Sequence, residues 1–367
     1  MNIRLMKLID AAIGRIATSV LPMPLRVNTS STITSLLIIR PGGIGDSVLL
    51  APSIQSIKNS YPSANITILA EQRNAGIFQL IRGVDKLLCY DRPRDMLQAL
   101  QSRYDVVIDT EQWHRLSSVV ARFVSAPVNL GFDTNERRRM FTHTIPYSQD
   151  DYEAVSFAHL LELLGIGAEV VDTGVPFLSI PDAVSVNASK LLGLSHDKLF
   201  VTIFPGASIT ERRWGADRFR LVAEALSVFG IKIVVVGGKE DRKQGGVISG
   251  GGLALNLAGM TSLPETAAVI QKSALLLSGD SGVLHIAVGL GMPTLSLFGP
   301  GRAKKWAPRG EHHVVINKEL PCSPCTTFGN TPPCPNNVRC MSDITVDEVV
   351  NAVTMLLTSM GTMPSQC

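Results

Sequence analysis

The chain has 367 residues, of which 45% are hydrophobic and 18% are charged, and its formal net charge at pH 7 is +3. This length and composition suit two globular domains of ordinary size and exclude a fibrous or broadly disordered protein. The small net charge argues against a nucleic-acid-binding protein, for which a concentrated basic face is expected.

The first 35 residues carry an amphipathic pattern. Five apolar residues recur at helical spacing: Met6, Ile9, Ile13, Ile16 and Val20. Basic and polar residues gather on the opposite face: Arg4, Lys7, Arg15 and Thr18. The pattern predicts an amphipathic helix followed by a polar tether over residues 28–35, and its charges argue against a membrane span and a secretory signal. Such a helix can lie on an anionic membrane surface; packing against the body of the protein or a partner is the alternative.

Residues 36–47 form an apolar stretch that runs into a turn of proline and glycine and continues to an acid. The apolar spacing that follows predicts a helix over residues 47–59. Ligands of open α/β sheets bind at the carboxyl ends of strands, where glycines such as Gly43 and Gly45 let the backbone approach a substrate. We therefore expect Asp46 at the mouth of a cleft, where its carboxylate can act as a base. An acid that only caps a helix N-terminus is the alternative.

Residues 275–285 repeat the pattern of apolar strand, small-residue turn and helix start. A helix that begins at Ser281 would direct its free N–H groups and its positive end at the turn, which suits a phosphate. Gly282 allows a close approach, and His285 lies on the same helix face as Ser281. A buried histidine with satisfied hydrogen bonds is the alternative.

Residues 204–215 form a third turn of this kind, because a strand over 199–204 ends in Pro-Gly and is followed by small hydroxyl residues and two arginines. The guanidinium groups of Arg212 and Arg213 keep their charge at any working pH and offer forked donors that match phosphate oxygens. The pattern predicts an anion-binding turn.

Strands and helices alternate along the rest of the chain, as expected for parallel α/β units. Strands are predicted near Leu36, Ile66, Lys86, Asp105, Ile231, Ala274 and Thr294. Helices are predicted over residues 95–101, 113–124, 151–164 and 346–357. The proline-containing segment 174–181 is the best linker candidate, and we interpret the glycine cluster 245–252 as a flexible connection because it follows charged residues rather than a strand.

Four of the six cysteines lie in one short proline-rich loop: Cys322, Cys325, Cys334 and Cys340. The first pair has the C-x2-C spacing of zinc ligands, whereas the second pair has a wider C-x5-C spacing that departs from common zinc fingers. Disulfides are less expected in a cytosolic chain. A structural zinc ion and an ordered loop without metal are both open interpretations.

These motifs together resemble glycosyltransferase family 9, the ADP-heptose:lipopolysaccharide heptosyltransferases. The resemblance spans roughly residues 36–357 and rests on four ordered motifs. They are the opening IIRPGGIGD with Pro52 and Tyr61-Pro62, the turn Pro205-Gly-Ala-Ser leading to Arg213-Trp214, the segment LAGMTSL over 257–263, and DSGVLH over 280–285 with Gly291-Met-Pro293 and Phe298-Gly-Pro300. The chain departs from the family at Arg212, where lysine is frequent, and at Gly301-Arg302-Ala303, where members commonly continue Thr-Asp-Pro.

The resemblance implies an α/β GT-B architecture, in which two Rossmann-like domains face each other across a cleft. We accordingly expect an N-terminal extension and tether (1–35), an acceptor-side domain (36–175), a nucleotide-sugar-binding domain with the cysteine-rich loop 321–342 (176–345), and a C-terminal helix and tail (346–367). Asp46 falls where the family has its catalytic base, and Gly43 and Gly45 accompany it on the acceptor side. Residues that fall where relatives contact the donor nucleotide and its diphosphate are Ala207, Ser208, Arg212, Thr261, Asp280, Ser281, Gly282 and His285; Arg213 joins them from its own turn.

The implied reaction is an inverting displacement in which Asp46 removes the proton of the acceptor hydroxyl as the nucleoside diphosphate leaves. One carboxylate suffices for one inversion, whereas a covalent intermediate would need a second. Arg212 and the N-terminus of the helix after Asp280 would stabilise charge on the leaving diphosphate, so no cofactor is required.

The basic run Arg137, Arg138 and Arg139 lies in what reads as a loop of the first domain. It can meet an acidic acceptor, such as the Kdo carboxylates or the phosphates of the lipopolysaccharide core. A solvated charge run is the alternative.

We therefore expect a cytoplasmic glycosyltransferase of the EC 2.4 class that moves a heptose from ADP-heptose to the lipopolysaccharide inner core and can associate with the inner leaflet of the membrane. The alternatives are a family 9 transferase that uses another nucleotide-sugar or glycan acceptor, and a non-catalytic protein that binds nucleotide-sugars.

Overall fold

The computed structural model describes residues 10–25, 32–168, 175–193 and 199–362. The chain divides into two compact units, Met1–Val171 and Asp172–Cys367. Each unit contains a parallel sheet of six strands together with helices, so the α/β fold with two Rossmann-like domains is confirmed.

The sheet of the first unit has the strands β1 (Ser35–Arg40), β2 (Asn65–Ala70), β3 (Lys86–Cys89), β4 (Val106–Asp109), β5 (Val128–Asp133) and β6 (His143–Pro146). Their order is β3-β2-β1-β4-β5-β6. In the centre of the sheet, Ile38 of β1 pairs with Ile68 of β2 and Ile108 of β4. This is the doubly wound Rossmann order, which reverses between β1 and β4.

The helices of the first unit are a π-helical turn at Asp10–Gly14, α1 (Arg15–Val20), α2 (Ile44–Leu49), α3 (Ala51–Ser60), α4 (Ala75–Phe78), α5 (Pro93–Gln101), α6 (Leu116–Phe123), a 3-10 turn at Glu136–Met140 and α7 (Glu153–Glu162). The single helix predicted over 47–59 is therefore two consecutive helices. Pro52 lies in the first turn of α3, where its missing N–H is tolerated. Because proline has no N–H to donate, it does not continue the hydrogen bonding of α2.

The sheet of the second unit has the strands β7 (Phe200–Phe204), β8 (Lys232–Val235), β9 (Ala254–Asn256), β10 (Leu275–Gly279), β11 (Thr294–Phe298) and β12 (His313–Asn317). Their order is β12-β11-β10-β7-β8-β9, so the reversal lies between β7 and β10. Every residue of β7, β10 and β11 is buried. Continuous apolar runs of this kind are typical of parallel strands covered on both faces.

The helices of the second unit are α8 (Asp182–Leu192), a 3-10 turn at Thr210–Arg212, α9 (Ala216–Val228), a 3-10 turn at Lys239–Asp241, α10 (Arg242–Ser249), a 3-10 turn at Gly250–Gly252, α11 (Leu263–Gln271), α12 (Gly282–Gly289), α13 (Ala303–Trp306), α14 (Arg339–Ser342) and α15 (Val346–Ser359). The C-terminal helix predicted over 346–357 is α15. Its buried residues Val349, Val353 and Leu357 belong to the hydrophobic core of the second unit.

The interpretation of residues 245–252 as a flexible connection is wrong, because most of the segment lies in α10 and its 3-10 extension. Ile248 is fully buried. A Cβ atom on Gly245 would lie 2.4 Å from Oδ1 of Asn256, so this glycine allows the helix to approach β9 closely. Glycine here serves packing rather than chain flexibility.

The N-terminal helix packs through its polar face. Asp10 is buried, and its Oδ1 accepts hydrogen bonds from the backbone N–H groups of Arg115 and Leu116 at 2.7 and 2.8 Å. Gly14 and Thr18 follow at intervals of four residues and are buried as well. The carboxylate of Asp10 thus satisfies N–H groups at the start of α6 and ties residues 10–20 to the first unit.

The helix predicted at the N-terminus is confirmed for residues 10–20, but its orientation differs from the simplest expectation for an amphipathic helix. Thr18, which the pattern placed on the outward polar face, is buried, whereas Ile13, Ile16 and Val20 are exposed. Met6, Ile9 and the first part of the tether lie outside the described residues, as does the start of the predicted linker 174–181.

Arg137 does not fit its predicted contact with the acceptor. Its side chain is fully buried, and its Nη2 pairs with Oδ2 of Asp109, which is also fully buried, at 2.7 Å. The guanidinium also donates to the carbonyl oxygens of His114 and Phe132. Because its donors are used inside the unit, Arg137 has a structural role. Arg138 is 63% exposed, so the acceptor contact stays a prediction for this residue.

We expect Asp10→Ala to release the N-terminal helix. The substitution removes two hydrogen bonds from a carboxylate to the start of α6, a loss of about 1 kcal/mol, and trypsin should then cleave faster after Arg15. Ser19→Ala, an exposed change on the same helix, is the control. An unchanged cleavage rate in Asp10→Ala would contradict this account of the packing.

The same contact predicts a pH dependence. Burial raises the pKa of Asp10, but hydrogen bonds from His114 and from the N–H of Leu116 outweigh it and hold the pKa below the ordinary value of 3.8. The stabilising contribution of Asp10 is therefore complete above about 3.8 and is lost as the pH falls through the lowered pKa. Proteolysis of the segment by pepsin at successively lower pH measures this loss.

We expect Arg137→Met to lower the free energy of unfolding by about 3–5 kcal/mol, because it removes the cation that pairs with the buried carboxylate of Asp109. The matched control Arg138→Met removes an exposed charge and should cost about 0–1 kcal/mol. Urea denaturation of both variants measures the difference. Equal values for the two variants would show that the buried pair is not required for stability.

Candidate functional site

The predicted site residues lie beyond the carboxyl ends of strands at the point where each sheet reverses its strand order. Asp46 follows β1, Arg212 follows β7 and Asp280 follows β10. Ligands of open α/β sheets bind at such switch points. Each unit therefore has one candidate site, at β1/β4 in the first and at β7/β10 in the second.

A buried arginine joins the two strands at the switch point of the first unit. Arg40 is only 2% exposed; its Nη1 donates to the carbonyl oxygen of Thr110 and its Nη2 donates to Oε2 of Glu111, both at 2.8 Å. Its Nε donates to the carbonyl oxygen of Pro41 at 3.0 Å. The guanidinium thus links the turn after β1 to the segment after β4.

The electrostatics of this group favour the ionised pair. Burial alone would lower the pKa of Arg40, but the carboxylates of Asp46 and Glu111 raise it above its usual value. Burial alone would raise the pKa of Glu111, but the charge of Arg40 opposes this and the pKa lies below its usual value. Arg40 therefore places a permanent positive charge beside Asp46.

Asp46 lies in α2 with its carboxylate folded over the glycine turn. Its Oδ1 accepts a hydrogen bond from Nε2 of Gln112 at 3.0 Å and lies 3.9 Å from Nη1 of Arg40. A Cβ atom on Gly43 would lie only 2.0 Å from Oδ2, so a larger residue at position 43 would displace the carboxylate. The glycine is required here for close approach, since its φ of −58° is ordinary.

Gln112 connects Asp46 to a second carboxylate. Its Nε2 also donates a hydrogen bond to Oε1 of Glu153, which is fully buried at the start of α7. The hydroxyl of Tyr147 donates to Oε2 of Glu153 at 2.8 Å. Burial and the charge of Glu153 raise the pKa of Tyr147, so the phenol stays protonated and keeps donating.

A small cavity of about 100 Å³ lies beside the glycine turn. Its lining includes Gly42, Glu71, Arg73, Glu111 and His114. Nε of Arg73 pairs with Oε2 of Glu71 at 2.5 Å, so the wall carries both charges. Paired carboxylates and cations of this kind offer acceptors and donors for hydroxyl groups.

At the switch point of the second unit, Arg212 and Asp280 form an ion pair. Nη1 of Arg212 lies 3.0 Å from Oδ2 of Asp280, and the two side chains are 15% and 5% exposed. Burial raises the pKa of Asp280, and the charge of Arg212 opposes that rise. A Cβ atom on residue 301 would lie 1.9 Å from Oδ2 of Asp280, so Gly301, where the chain departs from the family motif, makes room for this carboxylate.

The start of α12 has the predicted form. Ser281 is its N-cap, with Oγ accepting from the N–H of Leu284 at 3.3 Å, and Gly282 is its first residue. Asp280 is therefore not the cap of this helix. His285 is buried on this helix, and its ring lies edge-on to that of Trp306 at 6.2 Å.

The turn after β7 is held by Arg213. Its Nε and Nη2 donate to the carbonyl oxygen of Ala207 at 3.1 and 2.9 Å. Ser208 is exposed in the same turn. Thr261 lies before α11, where its hydroxyl is 2.8 Å from that of Thr266. Arg213 thus shapes the turn, whereas Arg212 supplies the charge at the switch point.

The other two arginines of the basic run are less buried than Arg137. Arg138 has its Nη1 3.6 Å from Oδ1 of Asp133. Arg139 is half-buried, and its role as an acceptor contact stays a prediction.

The four cysteines of the proline-rich loop are free thiols. The loop is anchored on the turn after β11, since the N–H of Cys325 donates to the carbonyl oxygen of Pro300 at 3.1 Å. The N–H of Val338 donates to Sγ of Cys334 at 3.4 Å. Among the residues that the structure describes, no group of three or more histidine, cysteine or acidic side chains is arranged to hold a metal ion, so the zinc interpretation gains no support.

The sequence reasoning missed Arg40, Gln112, Glu153 and Tyr147. Arg40 was part of the quoted motif, and its position as the last residue of a buried strand next to the glycine turn was a usable signal. Gln112 follows β4 closely, but its approach to Asp46 depends on β1 and β4 being neighbours, which the local pattern does not reveal.

No helix within the described part of the chain is both long and apolar enough to cross a membrane. Residues 94–334 match the family described as glycosyltransferase family 9 (heptosyltransferase). Lipopolysaccharide heptosyltransferase 3 of Escherichia coli is 27% identical over 292 residues, which cover 72% of this chain and 83% of that relative.

Two solved structures share the fold. A family 9 glycosyltransferase from Veillonella parvula has a TM-score of 0.75 at 20% identity and covers 91% of this chain and 99% of its own. The E. coli ADP-heptose lps heptosyltransferase II has a TM-score of 0.73 at 20% identity and covers 89% of this chain and 100% of its own. These likenesses confirm the GT-B architecture. With its family match over most of its length, the chain belongs to glycosyltransferase family 9 and is a glycosyltransferase.

Proposed function

We propose that the enzyme transfers a heptose from ADP-heptose to an acceptor of the lipopolysaccharide inner core with inversion at the anomeric carbon, and that Asp46 is the general base. The observation that carries the proposal is the environment of Asp46. One carboxylate oxygen is tethered by Gln112 next to the buried cation Arg40, and the other lies over the turn at Gly43.

A general base must hold a lone pair in a fixed place within hydrogen-bonding distance of the proton that it removes. Gln112 holds Oδ1 of Asp46 and is itself held by Glu153. Oδ2 lies over the glycine turn, where an acceptor hydroxyl can approach the backbone closely. We therefore assign Gln112 and Glu153 as positioning residues for Asp46.

The donor site belongs, in this proposal, to the switch point of the second unit. Arg212 is less buried than Arg40 and retains N–H groups for a diphosphate, while Asp280 fixes its orientation. The N–H groups at the N-terminus of α12, which begins at Gly282, add positive potential. Negative charge that develops on the leaving diphosphate is stabilised there, and the proposed mechanism needs no metal ion.

The identities of donor and acceptor come from the relatives. The E. coli relative is a lipopolysaccharide heptosyltransferase, and the E. coli structure is that of an ADP-heptose enzyme. For this chain we propose ADP-heptose as donor, a lipopolysaccharide core acceptor, and a cytoplasmic location on the inner leaflet of the membrane. Arg138 and Arg139 are proposed to attract the acidic groups of the acceptor.

Asp46→Asn should lower kcat by a factor of about 100–10,000 and leave the affinity for ADP nearly unchanged, since the amide cannot accept the proton but keeps the shape. The measurement is ADP release with ADP-heptose and a heptose-free core acceptor, with ADP affinity measured by calorimetry. Asp347→Asn, an exposed change on α15, is the control. Turnover of Asp46→Asn near the wild-type rate would remove Asp46 from the base role.

Arg212→Ala should weaken ADP binding about 10- to 100-fold, because a charge-assisted contact with phosphate contributes about 1.5–3 kcal/mol. Arg212→Lys should retain part of the affinity, since it keeps the charge but loses the fork. Lys232→Ala, an exposed change on β8, is the control. If Arg212→Ala binds ADP as tightly as the wild type, Arg212 serves only to neutralise Asp280.

A further inference from the structure

The N-terminal helix presents apolar side chains to solvent although a helix docked on a protein body normally buries them. Its contacts with the first unit are made by Asp10, Gly14 and Thr18, so the body recognises the polar and small face. The exposed fractions of Ile13, Ile16 and Val20 are 58%, 65% and 77%.

The exposed apolar surface continues beyond the helix. Met23 and Leu25, in the extended segment after α1, are 62% and 86% exposed. We call these five residues, Ile13, Ile16, Val20, Met23 and Leu25, the N-terminal apolar stripe. Among the residues that the structure describes, one third of the large exposed hydrophobic side chains lie in this stripe of 13 positions. Such a concentration marks a binding surface rather than ordinary scatter.

Cations flank the stripe. Arg15 lies within the helix and is 69% exposed, and α1 packs beside the 3-10 turn that carries Arg138, which is 63% exposed. The acid nearest to Arg15, Glu136, is also paired with Arg115. In the sequence, Arg4 and Lys7 precede the stripe. The exposed apolar side chains thus lie beside exposed guanidinium groups, and residues 1–25 contain three basic side chains and one acidic side chain.

We propose that the N-terminal apolar stripe inserts into the surface of an anionic phospholipid membrane. The helical part covers only residues 10–20, which is too short to span a bilayer but suits a helix lying in the interface. Arg15 then meets lipid phosphates while the stripe enters the acyl boundary. A second copy of the chain fits less well, because a symmetric contact would bring the same cations together.

The N-terminal apolar stripe is the surface through which the enzyme would bind the membrane. The inference rests on the proposed membrane location but not on the transfer chemistry. The stripe lies outside residues 94–334, which match the family. Asp10 fixes the stripe to the start of α6 in the unit that carries Asp46, so a docked stripe would hold the acceptor-side unit at the lipid surface.

The test is flotation of the full chain with vesicles of phosphatidylcholine, with and without phosphatidylglycerol. The triple variant Ile13→Ser, Ile16→Ser, Val20→Ser is compared with the matched control Leu221→Ser, Val228→Ser, which changes apolar residues of α9 that are 50% and 82% exposed. We expect binding of the wild type and of the control to anionic vesicles, weakened by salt. The triple variant should bind at least about tenfold more weakly.

Undiminished binding of the triple variant would overturn the proposal, as would equal binding of the wild type to neutral vesicles. A wild-type dimer that dissociates in the triple variant would also overturn it, in favour of a second copy. Transfer to a soluble, delipidated acceptor should be the same in the triple variant and the wild type. If neither the wild type nor the triple variant transfers the sugar, the proposed function is contradicted, whereas the result with vesicles still decides the membrane proposal.

Discussion

The ion pair between Arg40 and Glu111 determines the geometry of the first site. The guanidinium is buried where β1 ends, and it reaches across to the carbonyl oxygen and the carboxylate that follow β4. Loss of Arg40 would leave the buried carboxylate of Glu111 without the cation that it pairs with, which is far more costly than loss of a surface pair. The turn at Gly43 and the carboxylate of Asp46 are consequently held in one place, and Gln112 joins them from the same segment as Glu111.

The second unit also has an arginine–carboxylate ion pair at its switch point, and this pair is more accessible to a ligand. Arg212 follows β7 and Asp280 follows β10, so this arginine–carboxylate pair also spans the reversal of its sheet. The two arginines differ in exposure, since Arg40 is closed off by protein acceptors while Arg212 keeps part of its surface. Under the proposed function, the same strand order uses a buried pair to position a carboxylate in one unit and a more open pair to offer positive charge to a diphosphate in the other.

Local patterns predicted the elements, whereas distant contacts decided the roles of several residues. The positions of Asp46, Asp280 and Ser281 beyond the strand ends were predictable because a strand, a small-residue turn and a helix start are adjacent in sequence. Gln112 and Glu153 were not found, because they reach Asp46 only once β1 and β4 are neighbours and α7 packs beside them. The sequence of the basic run at 137–139 does not show whether its side chains face water or the core. The burial of Arg137 against Asp109 was therefore not predictable. In the same way, the helical period at the N-terminus does not show which face of the helix packs on the first unit, because the contacts of Asp10 decide this.

Calorimetric titration of the full chain with ADP, GDP and UDP, with and without a chelator, asks whether the Arg212–Asp280 switch point is a metal-independent site for the proposed donor. We expect ADP to bind, GDP and UDP to bind at least about tenfold more weakly, and the chelator to leave the ADP affinity unchanged. Preference for another nucleotide would contradict ADP-heptose as the donor, and loss of ADP binding with the chelator would contradict a site that relies on Arg212 and the start of α12 alone.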